Sequence, residues 1–125
     1  MTYVINQHHR NGNRAKSQWR ITIPEEQASF ENARGCGWLE TDAGWGLHLV
    51  NGNAEVLGVA QDHATSVFLA KYVGSEGGPW HGYPADYRNN VQDIPTPNVL
   101  GAWCSKGHFS PAKIRKISRG QPCNL

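Results

Sequence analysis

Residues 77 to 90 read GGPWHGYPADYRNN, which sets the imidazole of His81, the phenol of Tyr83, the carboxylate of Asp86 and the guanidinium of Arg88 close together in the chain. These side chains suit proton transfer on an anionic substrate. An imidazole titrates at about 6.5 and trades protons at neutral pH; a carboxylate can orient the ring, a guanidinium can hold an anion, and a phenol can donate to developing charge. On this reading His81, Asp86, Tyr83 and Arg88 are the catalytic candidates, and the chemistry is metal-independent phosphodiester cleavage of the kind a toxin-like ribonuclease performs. His63 would complete an acid and base pair if the fold carried it to His81; otherwise it is exposed turn chemistry. His48 reads as a cross-strand partner of Glu55, and His8 and His9 as an incidental polar pair.

The same stretch has two competing readings. Trp80, Tyr83 and Tyr87 form an aromatic patch of the sort that anchors a protein partner, as in an inhibitor or immunity-type module. Alternatively the rings plug a sheet while His81 bonds a backbone carbonyl.

Charge gives a second candidate surface. Residues 1–24 carry net +4, residues 25–93 net −7 and residues 94–125 net +5. Lys113, Arg115, Lys116 and Arg119 crowd one short segment, which fits contact with phosphates better than reading of base edges. The expected partner is therefore RNA or another polyanion, with a protein partner as the alternative. RNA is favoured over duplex DNA because aromatic rings and scattered cations suit unstacked bases.

Several classes are excluded by what the chain lacks. There is no G-x-x-x-x-G-K-[ST], no G-x-G-x-x-G, no H-E-x-x-H and no G-x-S-x-G. Cys104, His108 and Cys123 offer zinc-type ligands without a fourth, so neither metal nor cofactor is expected. Three cysteines with no C-x-x-C spacing predict reduced thiols. No apolar run is long enough to span a bilayer or serve as a secretion signal, which predicts a cytoplasmic protein with no membrane partner.

The elements that must position these groups form an α+β domain: an antiparallel sheet of about four or five strands, one helix before it and a C-terminal helical hairpin. Residues 1–16 read as a loose polar arm after a short strand at Thr2 to Ile5, and residues 17–125 as the single domain. QWRITI alternates as a strand, Thr22-x-x-Glu25 is a capping box, and Gly35 ends the first helix. Asn51-Gly52 predicts a tight hairpin with His48 opposite Glu55 and Leu49 opposite Ala54. A turn at residues 62–65 then sets Val59 opposite Phe68 and Leu57 opposite Ala70 in one meander. Residues 74–95 show no period and are expected to be a long functional loop. Thr96-Pro97 and Ser110-Pro111 start the last two helices.

Overall fold

The computed structural model describes residues 1–125. In chain order the elements are β1 (Thr2–Tyr3), β2 (Gln18–Trp19), α1 (Ile23–Gly35), β3 (Ala43–Gly46), β4 (His48–Val50), β5 (Asn53–Glu55), β6 (Gly58–Val59), β7 (Ser66–Val67), β8 (Leu69–Val73), β9 (Pro79–Ala85), α2 (Pro97–Ser105) and α3 (Pro111–Ser118). The fold is α+β. No helix is long and apolar enough to cross a membrane.

Local chemistry starts the helices. The Thr22 hydroxyl accepts from the Glu25 amide at 3.2 Å while the Glu25 carboxylate accepts from the Thr22 amide at 2.9 Å, so two donors left free at the start of α1 are satisfied reciprocally. Glu26, Ser29, Phe30 and Ala33 then fall on one buried face, the spacing a helix laid on a sheet requires. Thr96 precedes Pro97 in α2, and the Ser110 hydroxyl accepts from the Lys113 amide in α3. Val99, Leu100 and Trp103 of α2, Phe109 and Ile117 close the C-terminal end of the core.

The main sheet runs β1-β9-β8-β3, with β1 parallel to β9 and the other pairs antiparallel. Its inner face carries Tyr72 and Trp80 against Phe30, whose ring lies 5.2 Å and 6.0 Å from theirs. The stretch expected to be a structureless loop contains β9, an interior strand, at its centre. Trp80, Gly82 and Pro84 are buried, while His81 is exposed and Tyr83 half-buried on the opposite face. The burial alternates, but the residue types do not announce it: beside Trp80 the buried face carries Gly82 and Pro84, both poor strand formers. Gly82 is required by packing, since a Cβ there would meet the Tyr3 hydroxyl and the Tyr72 ring.

The expected meander divides into three sheets. Asn51 and Gly52 adopt φ of 52° and 82°, and β4 and β5 pair His48 with Glu55 and Leu49 with Ala54, as the turn dipeptide predicts. Beyond it, Val59 lies opposite Ser66 rather than Phe68, a slip of two residues. The Asp62 carboxylate accepts from the Ala64 and Thr65 amides, and the Ala60 amide donates to the Thr65 carbonyl, so the turn is centred one residue earlier than expected. Leu57 and Ala70 do not pair; β8 instead sets Ala70 opposite Gly46 and Pro84. QWRITI is a strand only at Gln18–Trp19.

Residues 1–16 are a strap rather than a loose arm. After β1, Gln7–His9 form a 3-10 turn and the Arg10 guanidinium reaches the fully buried Glu26 carboxylate at 2.7 Å and 3.0 Å. The Tyr3 hydroxyl also donates to Glu26, and Arg10 donates to the Ile21 carbonyl. His63 Nε2 donates to the Asn13 and Lys16 carbonyls, tying the strap to the hairpin tip. A polar composition hid these anchors because each is a single pairing across the chain.

Candidate functional site: a histidine groove and an adjoining cleft

Parallel pairing of β1 with β9 carries the next residues of the strap along the outer face of the sheet. The Val4 amide donates to the Trp80 carbonyl at 2.8 Å, and the Asn6 side chain accepts from the His8 amide at 3.0 Å, closing the turn over Gln7–His9. His8 and His9 thereby reach the surface on which β9 presents His81. The groove between them has a volume of about 570 Å³; Asn6, His8, His9, His81 and Tyr83 are in its lining, which holds no carboxylate.

His9 is buried, and its ring stacks on Tyr83 with centroids 5.4 Å apart. Its Nδ1 lies 2.9 Å from the Ser17 carbonyl oxygen and donates to it, which leaves Nε2 as the acceptor of the neutral ring. Burial pushes its pKa below the ordinary histidine value, with the Lys16 and His8 charges acting the same way and the Ser17 bond opposing. Burial thus favours the neutral imidazole of His9, the form a proton acceptor needs.

His9 and Tyr83 also line a second cleft of about 290 Å³, to which Ser17, Asp86, Asn90 and Asp93 contribute. The Tyr83 hydroxyl donates to the Asp93 carboxylate at 2.6 Å, and burial raises the Tyr83 pKa further than that bond does. Burial also lifts the Asp93 carboxyl above its usual range; the Tyr83 bond, the Lys71 charge and the Asp86 amide draw it back. Lys71, opposite Tyr83 in register, is itself buried, donates to the Gln92 carbonyl and sits 4.9 Å from the centre of the Trp45 ring. Burial lowers its pKa, while Asp93 and Asp42 oppose the shift.

The sequence candidates are dispersed by these elements. Residues 81 to 86 are nearly all extended, and at about 3.3 Å per residue Asp86 lies roughly 17 Å beyond His81. Asp86 accepts instead from Arg88 Nε at 3.3 Å and Asn89 Nδ2 at 2.7 Å, so it does not orient His81. Arg88 lines a separate small cavity with Asp86, Phe68, Tyr87 and Cys123. Trp80 and Tyr87 are 1% and 5% exposed, and the Tyr87 hydroxyl donates to the Gln121 carbonyl, so neither offers a surface to a partner. Trp80 sits on the inner face of β9 and the Tyr87 hydroxyl is taken by the chain's own Gln121 carbonyl: both rings face the core.

Lys113 is half-buried, and Arg115, Lys116 and Arg119 are exposed on or just after α3; none of the four is in an ion pair. They belong to the end of the molecule where Tyr87 meets Gln121, away from His81. His63 is held by strap carbonyls and does not meet His81. His48 Nε2 is 3.7 Å from Glu25 as well as opposite Glu55. Cys104, His108 and Cys123 do not gather, and no group of three or more His, Cys, Asp or Glu side chains is placed to hold a metal ion.

Sequence reasoning missed His9, Lys71 and Asp93. Lys71 had a signal, a lone cation inside the apolar strand FLAKYV; His9 and Asp93 had none, since their neighbours come from distant segments. Comparison with family models, with curated proteins and with solved structures finds no match for this chain, so its function rests on this geometry.

Proposed function

We propose that the protein cleaves single-stranded RNA without a metal at the histidine groove. The observation that carries this reading is that His8, His9 and His81 all line one groove, whose lining has no carboxylate to repel a phosphate. His9, neutral through burial, takes the proton from a ribose 2′-hydroxyl. The 2′-oxygen attacks phosphorus, the bond to the 5′-oxygen breaks, and His81 gives that oxygen its proton. The products are a 2′,3′-cyclic phosphate and a free 5′-hydroxyl. His8, exposed on the same wall, is placed to meet a phosphate oxygen. The unpaired cations Lys113, Arg115, Lys116 and Arg119 hold the strand elsewhere by counterion release. Relative to the first reading, His9 replaces Asp86 and Arg88 beside His81.

The test uses end-labelled single-stranded RNA with excess chelator. Cleavage to cyclic-phosphate ends, reduced about 10²–10⁴-fold in a folded His81→Ala variant, is the expected result. Intact RNA with the wild-type protein, or an undiminished rate in the variant, overturns the reading.

A further inference from the structure

The cleft beside the groove has the contents of a recognition site. It shares His9 and Tyr83 with the histidine groove, so a nucleotide whose phosphate occupied the groove would have its base or sugar at the cleft. Its volume of about 290 Å³ is at the lower end of ligand pockets, roughly 300–1,000 Å³, and suits a group the size of a base. His9 and Tyr83, stacked on each other, give one wall an aromatic character, a chemistry that unstacked RNA bases favour.

The polar groups narrow the choice. Asp86 and Asp93 bring two carboxylates, but each has a nearby cation: Arg88 bonds Asp86, and the Lys71 charge acts on Asp93. The cleft is therefore not a trap for a cation; it favours a neutral ligand rich in N–H donors. Each Asp86 oxygen carries one hydrogen bond, from Arg88 or Asn89, and a carboxylate oxygen has capacity for another. Asp93 is sealed deeper, 2% exposed, and its Oδ1 is taken by Tyr83. The side-chain amides of Asn90 and Gln92 stand in the same lining.

Among the RNA bases, guanine alone presents two adjacent donors, N1–H and the 2-amino group, matched to the two oxygens of one carboxylate. Its O6 acceptor is complemented by the second N–H of the Asn90 amide, whose first donates to the Asp86 backbone carbonyl at 3.4 Å. Adenine offers one donor beside an acceptor on that edge, cytosine likewise, and uracil a single N–H between two carbonyls. Lys16, exposed at the cleft, supplies a positive charge for an attached phosphate. We infer that this cleft is a guanine-binding subsite, with Asp86 as the reading carboxylate and the His9–Tyr83 pair as its wall. The inference rests on the RNA-cleavage reading for its biological sense, though the binding it predicts does not need catalysis.

Two measurements on the whole chain separate the claims. In the first, guanosine, adenosine, cytidine and uridine 5′-monophosphates are titrated into the protein and followed by amide NMR shifts. Guanosine monophosphate is expected to bind at least about tenfold tighter than the others, with shifts at Ser17, Tyr83, Asn90 and Asp93, and Asp86→Asn is expected to remove that preference. Asn90→Ala, which leaves both carboxylates intact, should weaken it if Asp86→Asn does not fold. Equal binding of all four, or shifts confined to α3, overturns the subsite. In the second, cleavage positions are mapped on mixed-sequence RNA. Cuts dependent on His81 but indifferent to guanine overturn the subsite and leave the cleavage reading standing. Selective guanosine monophosphate binding in a protein that cuts no RNA supports the subsite and removes the cleavage reading.

Discussion

Glu26 is a carboxylate with no exposed surface, held by Arg10 and Tyr3. Taking a charge out of water is tolerated only with a partner, and deleting that partner costs about 3–5 kcal/mol in buried pairs. Arg10→Met should therefore lower unfolding free energy by roughly that amount in urea titrations, while Arg10→Met with Glu26→Leu should recover most of it. Equal loss in the single and double variants would show that packing, not charge, holds the strap. A second residue-scale prediction follows from His9, whose folded pKa lies below the unfolded value of about 6.5. Its contribution is present above that value and is lost as pH falls through the folded pKa, because protonation then favours the unfolded chain. Urea midpoints should fall between pH 7 and pH 5, and His9→Asn, which retains a donor toward Ser17, should flatten the decline. At this scale the sequence named His81 but not its companions. Neighbours in the chain are visible as text, whereas His9 meets β9 only through strand pairing.

Among the elements, those specified within a few residues were legible. Asn51-Gly52 fixed the β4–β5 register, Thr22 and Glu25 fixed the start of α1, and Pro97 and Pro111 sit in the first turns of α2 and α3. Elements specified by tertiary contact were not legible. β9 contains Pro79, Gly82 and Pro84, whose preferences oppose a strand, and it is maintained by neighbours on both sides. Gly82→Ala tests that account. The added methyl must displace the Tyr3 hydroxyl or the Tyr72 ring, an overpacking change that costs about 1–3 kcal/mol. Thermal unfolding should show that loss, and the amide shifts of His8, His9 and His81 should move together as β1 is pushed from β9. A stable variant with those shifts unchanged would mean that the strap does not depend on this contact.

Across the whole molecule, the basic termini and acidic centre meet only in part. Arg10 pairs with Glu26, but the cations of residues 94–125 enter no salt bridge, so the C-terminal positive field faces solvent. If single-stranded RNA lies along it, replacing Lys113, Arg115, Lys116 and Arg119 with Gln should reduce the slope of log affinity against log salt by up to about 3, at about 0.7 per phosphate contact. An unchanged slope would place the RNA elsewhere. The charge pattern was readable as text; its distance from the histidine groove was not, because that depends on β9 separating His81 from the chain end that meets Tyr87.

The parallel register of Thr2 and Tyr3 against Pro79 and Trp80 also sets a timetable for synthesis. The opening residues leave the ribosome long before their partner strand exists, and closure of so wide a loop must await the second half of the chain. Until then His8 and His9 have no strand against which to lie, and the groove has no floor. Chemistry that needs the three imidazoles on one surface therefore requires the β1–β9 pair to have formed first.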